Sequence, residues 1–271
     1  MFIAARAGHD DTRRPAVFRS DDGGESFKLS HDSKGDEYAH SIVISPAFAE
    51  DGTVFWASGA DRGGKVFRTE DGGKTWVESG EGLIMDVQGA ELAISPNYAE
   101  DKTVFAGTSD GLFKSVDGGK NWALLESEGL PKAAWSEAVG VSPNYKADKT
   151  LAVSVRGFGH FISTNGGESF QPIAEDLMEG NHLLTKAWYY SPGKVLRFSP
   201  YWSEDKSLFG TTGLEVMRST NQGKTWEMLG AREAADALEG FRWNASVPLI
   251  GAAISVVAVF SFVLLKKRAK R

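Results

Sequence analysis

Hydrophobic residues fall along this chain in two arrangements. Towards the C-terminus they are continuous: no charged side chain occurs from Trp243 to Leu265, and Val247 to Leu265 is an apolar run of 19 residues. That is about the length needed to cross the hydrocarbon core of a bilayer. Lys266, Lys267, Arg268, Lys270 and Arg271 follow it, and Trp243 precedes it where an interfacial aromatic would sit. The pattern predicts a transmembrane helix over 244–265, with the bilayer as a partner and the basic tail 266–271 on the cytoplasmic side. Everything before it would then lie outside the cytoplasm. Elsewhere the apolar stretches are short, as in Thr103-Val-Phe-Ala-Gly-Thr108, and are separated by polar, glycine-rich turns. This second arrangement predicts many short strands.

The turns repeat. Ser20-Asp-Asp-Gly-Gly-Glu-Ser-Phe27 recurs as Thr69-Glu-Asp-Gly-Gly-Lys-Thr-Trp76 and Ser115-Val-Asp-Gly-Gly-Lys-Asn-Trp122. It recurs twice more, as Ser163-Thr-Asn-Gly-Gly-Glu-Ser-Phe170 and Ser219-Thr-Asn-Gln-Gly-Lys-Thr-Trp226. The starts are 49, 46, 48 and 56 residues apart. A second motif runs between them: Ser45-Pro-Ala-Phe-Ala-Glu-Asp, Ser95-Pro-Asn-Tyr-Ala-Glu-Asp, Ser142-Pro-Asn-Tyr-Lys-Ala-Asp and Ser199-Pro-Tyr-Trp-Ser-Glu-Asp. Self-similarity at this period, with four strands per unit, predicts an all-β propeller of four-stranded blades over residues 1–230. A linker at 231–243 joins it to the membrane helix.

Turn chemistry explains the octapeptide. Asp22, Asp71, Asp117, Asn165 and Asn221 can accept hydrogen bonds from backbone amides within the turn, and Gly24, Gly73, Gly119, Gly167 and Gly223 supply positive φ. Phe27, Trp76, Trp122, Phe170 and Trp226 are expected to point back between neighbouring blades. With these residues in register, the chain resembles the BNR/Asp-box repeat family, seen in sialidases, other glycoside hydrolases, sortilin-type receptors and photosystem II assembly propellers. In that family the box lies away from the catalytic centre, so the resemblance implies a fold and no particular chemistry.

Placing strands a to d in each blade puts the Ser-Pro segments in a–b connections and the Asp boxes in c–d turns, both on one face. The b–c and d–a loops decorate the opposite face, and these are irregular. A ligand, whether protein or carbohydrate, is expected there. The candidate residues are Arg6, His9, Trp135, Arg156, His182, Trp188 and Tyr189. Phe2 to Arg6 align with strand b residues Val54 to Ser58, so the first visible blade lacks strand a. No signal peptide precedes it. Both observations predict a native chain that begins upstream of Met1.

Charge and composition narrow the chemistry. The formal net charge is −6, and the five basic residues of the tail leave 25 basic against 36 acidic residues in the rest. An acidic soluble part argues against nucleic-acid binding. It also argues against a photosystem-assembly-like reading, which requires a basic patch. Zero cysteines exclude disulfides, thiolate metal sites and cysteine nucleophiles. The five histidines show no metal-ligand spacing, one acidic side chain per turn is too few for calcium, and no cofactor is expected. Arg19, Arg68 and Arg218, with Lys114 in the same slot, recur one residue before the box. A periodic residue reads as a feature of the blade, not as a converging carboxylate-gripping triad. No catalytic residue is assigned. The expectation is a membrane-anchored, extracytoplasmic binding or assembly scaffold. The alternative is a sialidase-like surface glycoside hydrolase with part of its active site in upstream blades.

Overall fold

The computed structural model describes residues 1–7, 14–33, 38–59, 63–84, 89–173, 196–211 and 216–229. They form five antiparallel sheets in chain order. The first has three strands, β1 (Phe2–Ala7), β2 (Arg14–Arg19) and β3 (Lys28–Asp32). The second holds β4 (Tyr38–Ile44), β5 (Val54–Gly59), β6 (Gly64–Thr69) and β7 (Val77–Glu78). The third holds β8 (Glu91–Ile94), β9 (Val104–Thr108), β10 (Gly111–Ser115) and β11 (Ala123–Leu124). The fourth holds β12 (Ser136–Val141), β13 (Leu151–Val155), β14 (Gly159–Ser163) and β15 (Gln171–Ile173). The fifth holds β16 (Leu196–Phe198), β17 (Leu208–Thr211), β18 (Val216–Ser219) and β19 (Glu227–Leu229). Each sheet is a meander, and its first strand packs on the first strand of the next: β4 on β8, β8 on β12, β12 on β16. This is blade-on-blade propeller architecture. In the first sheet β1 stands where β5 stands in the second, so the strand-b alignment of Phe2 to Arg6 holds.

The core lies between blades, and the strand period explains it. Phe55 and Ala57 of β5 face the third blade, while Val54 and Trp56 face the first. Alternate residues of one strand therefore fill two different seams, so these strands are apolar on both faces. The third and fourth seams repeat the scheme with Phe105 and Leu112 against Val153 and Phe161, then Ala152 and Ile162 against Leu208 and Met217.

Each Ser-Pro segment forms one helical turn between the first two strands of its blade, an element absent from the strand-based expectation. These are α1 (Phe48–Asp51), α2 (Tyr98–Asp101), α3 (Tyr145–Asp148) and α4 (Trp202–Asp205). In each, the serine hydroxyl donates to the aspartate closing the turn: Ser45 to Asp51, Ser95 to Asp101, Ser142 to Asp148 and Ser199 to Asp205, at 2.6–2.7 Å. The first aromatic of the turn reaches the preceding blade. Phe48 meets Phe2, Tyr98 meets Phe55 and Tyr145 meets Phe105, all edge-to-face at 5.5–5.8 Å. Trp202 instead donates its indole N–H to Asp148 of the fourth blade at 3.1 Å.

The Ser-Pro turn and the Asp box of one blade are bonded to each other. The amide of Gly72 donates to Gly52, Gly118 to Lys102, Gly166 to Lys149 and Gln222 to Lys206, at 2.9–3.2 Å. Both motifs therefore share one face, as the strand assignment requires.

Candidate ligand-binding face

The box side chains are consumed locally. In each turn the leading hydroxyl donates to the Asp or Asn and accepts the amide of the second glycine; for the second blade these are Thr69 to Asp71 at 2.8 Å and Gly73 to Thr69 at 2.9 Å. The Asp then accepts the amide and the side chain of the residue four places on, as Asp71 does from Thr75 at 2.9 and 2.6 Å. Where the box holds Asn, the last bond reverses, and Asn221 donates to the Thr225 hydroxyl at 2.8 Å. These bonds hold the three carboxyls well below the usual range. The Ser26 and Thr75 hydroxyls are the largest cause for Asp22 and Asp71, and the Asn121 amide brings Asp117 to about 2.

In blades three to five the box aromatics Trp122, Phe170 and Trp226 are buried. Phe27 departs from the expectation and is 37% exposed.

The recurring cations are seam bonds. Arg19 donates to the carbonyl of Gly72, Arg68 to Gly118 at 2.8 Å and Lys114 to Gly166 at 3.0 Å, each into the box of the next blade. Hydroxyls add a parallel set: Ser30 to Gly73, Ser79 to Gly119 and Ser127 to Gly167. Arg19 and Arg68 reach different boxes, so they do not converge as a carboxylate-gripping pair.

The opposite face carries chemistry of another kind. The tip of the β13–β14 hairpin brings Arg156 to the start of β12. Its backbone amide donates to the Trp135 carbonyl at 2.8 Å, and its guanidinium carbon lies 3.5 Å from the centre of the Trp135 ring. Its Nε donates to Glu137 at 2.5 Å. Ring stacking and a charged hydrogen bond thus fix one guanidinium in orientation. Among the described residues no hydrogen bond or ion pair engages its Nη atoms. Phe158, two residues on, is 54% exposed beside it.

Glu137 owes its place to a β-bulge, where the register of β12 with β13 shifts between Ser136 and Ala138. The same irregularity occurs in β4, between Ala39 and Ser41, at His40. Gly107 lets this region close up: a Cβ there would lie 2.6 Å from the Ser136 carbonyl. Gly107 pairs across the sheet with Glu91, so the start of β12 sits against the strand pair that carries Glu91.

Glu91 projects from the innermost strand of the third blade. Burial pushes its carboxyl above the usual range, opposed by Arg197, His40 and a hydrogen bond with Ser41. Arg197 comes from the fifth blade and approaches Glu91 at 3.6 Å while donating to the Leu196 carbonyl at 3.0 Å. The innermost strands of three blades therefore meet in one polar cluster, with the Trp135–Arg156–Glu137 group beside it.

Of the residues expected on this face, the structure brings together Trp135 and Arg156. His9, His182, Trp188, Tyr189 and the side chain of Arg6 lie outside the described residues. Sequence reasoning missed Glu137, Glu91, Arg197 and His40. The available signal was a charge inside an otherwise apolar innermost strand, as in Ala90-Glu91-Leu92 and Leu196-Arg197-Phe198. Among the described residues no group of His, Asp and Glu is arranged to hold a metal ion. Among them, too, no helix is long and apolar enough to cross a membrane, and the 244–265 segment lies outside them.

No family model and no curated protein sequence matches the chain. Solved structures do. The xyloglucanase of Xanthomonas campestris, from glycoside hydrolase family GH74, aligns with a TM-score of 0.56 at 16% identity, over 89% of this chain and 39% of that one. The structure titled YCF48 bound to D1 peptide gives 0.51 at 15% identity, over 79% and 60%. TolB from Acinetobacter baumannii gives 0.51 at 12%, over 83% and 50%. The chain spans less than two thirds of each. At these identities the likeness establishes the propeller fold, on which both hydrolases and non-catalytic proteins are built.

Proposed function

We propose that this chain is a non-catalytic binding or assembly propeller, held at a membrane by residues 244–265 with the blades outside the cytoplasm. Its ligand site is the irregular loop face. The observation that carries the reading is Arg156, whose guanidinium is fixed on Trp135 and Glu137 while its side chain stays 40% exposed. A fixed guanidinium end recognises a carboxylate, and the exposed Phe158 offers an apolar contact beside it. Because YCF48 holds a peptide, a peptide whose free carboxylate could meet Arg156 is the first ligand to try. The anchor rests on the charge-free run and the basic stop that follows it.

The test uses the full-length protein and a panel of peptides that differ only in a free or amidated C-terminus, with binding read by tryptophan fluorescence. Free-carboxylate peptides should bind, and Arg156→Ala should weaken them at least about tenfold without moving the thermal midpoint, a loss on the scale of one charged hydrogen bond. Equal binding of amidated peptides, or binding unaffected by Arg156→Ala, would refute this ligand site. Protease digestion of intact cells tests the topology, and protection of the blades from external protease would count against it.

The Glu91 cluster supports a second reading, glycoside hydrolysis, because burial pushes the Glu91 carboxyl up and the strand pair that carries Glu91 packs against the start of β12, where Glu137 pairs with Arg156. Release of chromophore from aryl glycosides, abolished by Glu91→Gln, would favour the enzyme.

A further inference from the structure

The β13–β14 turn of the fourth blade departs from its counterpart one blade earlier. In the third blade the pair Thr108–Gly111 closes a turn of two residues, Ser109 and Asp110. There Ser109 donates to Asp110 at 2.7 Å, and the Asp110 amide donates to the Thr108 hydroxyl at 3.1 Å. In the fourth blade the equivalent pair, Val155–Gly159, encloses three residues, Arg156, Gly157 and Phe158. The third blade closes the same turn without a cation or an aromatic ring, so the blade itself does not demand these two side chains. Gly157 takes φ +78°, and Phe158 donates its amide to the Val155 carbonyl at 3.0 Å. Phe158 is 54% exposed, whereas Val155 and Phe161 in the flanking strands are buried. A phenyl ring left in water forgoes the stabilisation that its burial would give.

The segment that delivers Trp135 to the same place is strained. Ala133 has φ +46°, in the left-handed region that disfavours a Cβ. Among the described residues, the other non-glycines with positive φ belong to the repeats. Lys102, Lys149 and Lys206 end the helical turns, and Gln222 lies in a box. Ala133 belongs to neither motif. Two residues on, Trp135 gives its carbonyl to the Arg156 amide and its ring to the guanidinium. With the bulge at Glu137, three departures from the blade pattern meet around one guanidinium. Strain kept at such a point fits a binding role better than a scaffold role.

We propose that this turn reads the last residue of its ligand, selecting a peptide C-terminus whose final side chain is large and apolar. The inference rests on the carboxylate reading of Arg156 given above. A terminal carboxylate and the terminal side chain branch from one Cα, so whatever grips the first has the second close by. Arg156 and Phe158 stand two residues apart, and their own Cα atoms therefore lie within about 7 Å of each other. A carboxylate held by the guanidinium brings the final side chain, ahead of any earlier one, to the Phe158 ring. Phe158 is then the residue that sets specificity, and Arg156 the one that fixes register.

Titration of the full-length protein in detergent with short Gly-Ser peptides tests it. The peptides end in Leu or in Ser with a free carboxylate, or in an amidated Leu, and tryptophan fluorescence reports binding. The Leu peptide should bind about tenfold more tightly than the Ser peptide, the gain from covering one apolar side chain. Phe158→Ala should bring the Leu peptide to the level of the Ser peptide and leave the latter unchanged. Because Phe158 is exposed, the thermal midpoint should not move. Arg156→Ala should weaken both free-carboxylate peptides alike. Equal affinity for the Leu and Ser peptides, in binding that still requires Arg156, overturns the selectivity and leaves the carboxylate reading standing. A Leu preference that survives Phe158→Ala overturns it as well. Equal binding of the amidated Leu peptide refutes the carboxylate reading and this inference with it.

Discussion

At the scale of single residues, the boxes show how Asp and Asn do the same work with opposite polarity. Asp71 accepts from the Thr75 hydroxyl, whereas Asn221 donates to that of Thr225. A hydroxyl can reverse its role at no cost, so Asp71→Asn should change stability at neutral pH by less than about 0.5 kcal/mol. Asp71→Ala, which strands the turn amides, should cost roughly 1–2 kcal/mol in urea unfolding. Acid separates the two box types. The carboxyls of Asp22, Asp71 and Asp117 are held below their unfolded value of about 4, so ionisation favours the folded state above that pH. That contribution is lost as pH falls from about 4 through the folded values, about 2 for Asp117. A triple Asp→Asn variant should therefore have a flatter acid limb than the wild type. These turns were fully legible in the sequence because every partner lies within four residues of the Asp or Asn. The cluster of Glu91, Arg197 and His40 was not, since its members come from three blades and only folding brings them together.

At the scale of the element, a blade is held to its neighbour by a few bonds running from strand ends into the next turn. Arg68 is the most buried of the donors, with 10% of its side chain exposed, and it closes onto Gly118. Arg68→Ala leaves that carbonyl without its charged donor and should cost about 2–3 kcal/mol. Arg68→Lys should recover a good part of this, because Lys114 makes the equivalent bond one blade later. Arg218→Ala should be nearly silent, because its exposed pair with Glu227 contributes little. Comparing urea midpoints of the three variants checks the ordering. The periodicity of these cations marked them in the sequence as part of the blade, though nothing local revealed that each reaches some 50 residues ahead. Nor did the Ser-Pro segments announce their helical turns, which are too short to show a helical period.

At the scale of the whole molecule, the four seams are not alike. The first three combine a forward cation and a forward hydroxyl, but the fourth has Ile162 in the cation slot and Ile173 in the slot of Ser30 and Ser79, both buried in the cluster with Trp226 and Met217. It is a hydrophobic joint. Ile173→Ala should therefore cost about 2–4 kcal/mol through the cavity it leaves, against about 1 kcal/mol for Ser79→Ala at the second seam. Urea denaturation of the two variants distinguishes them. The forward direction of the seam bonds also bears on how the chain is made. Arg19 lies 53 residues before Gly72, Arg68 lies 50 before Gly118 and Lys114 lies 52 before Gly166. At a ribosomal rate of about 5–20 residues per second, the docking groups of each new blade wait roughly 3–10 s for their successor. Every later blade thus emerges onto a finished template, and the order of translation is also the order of assembly.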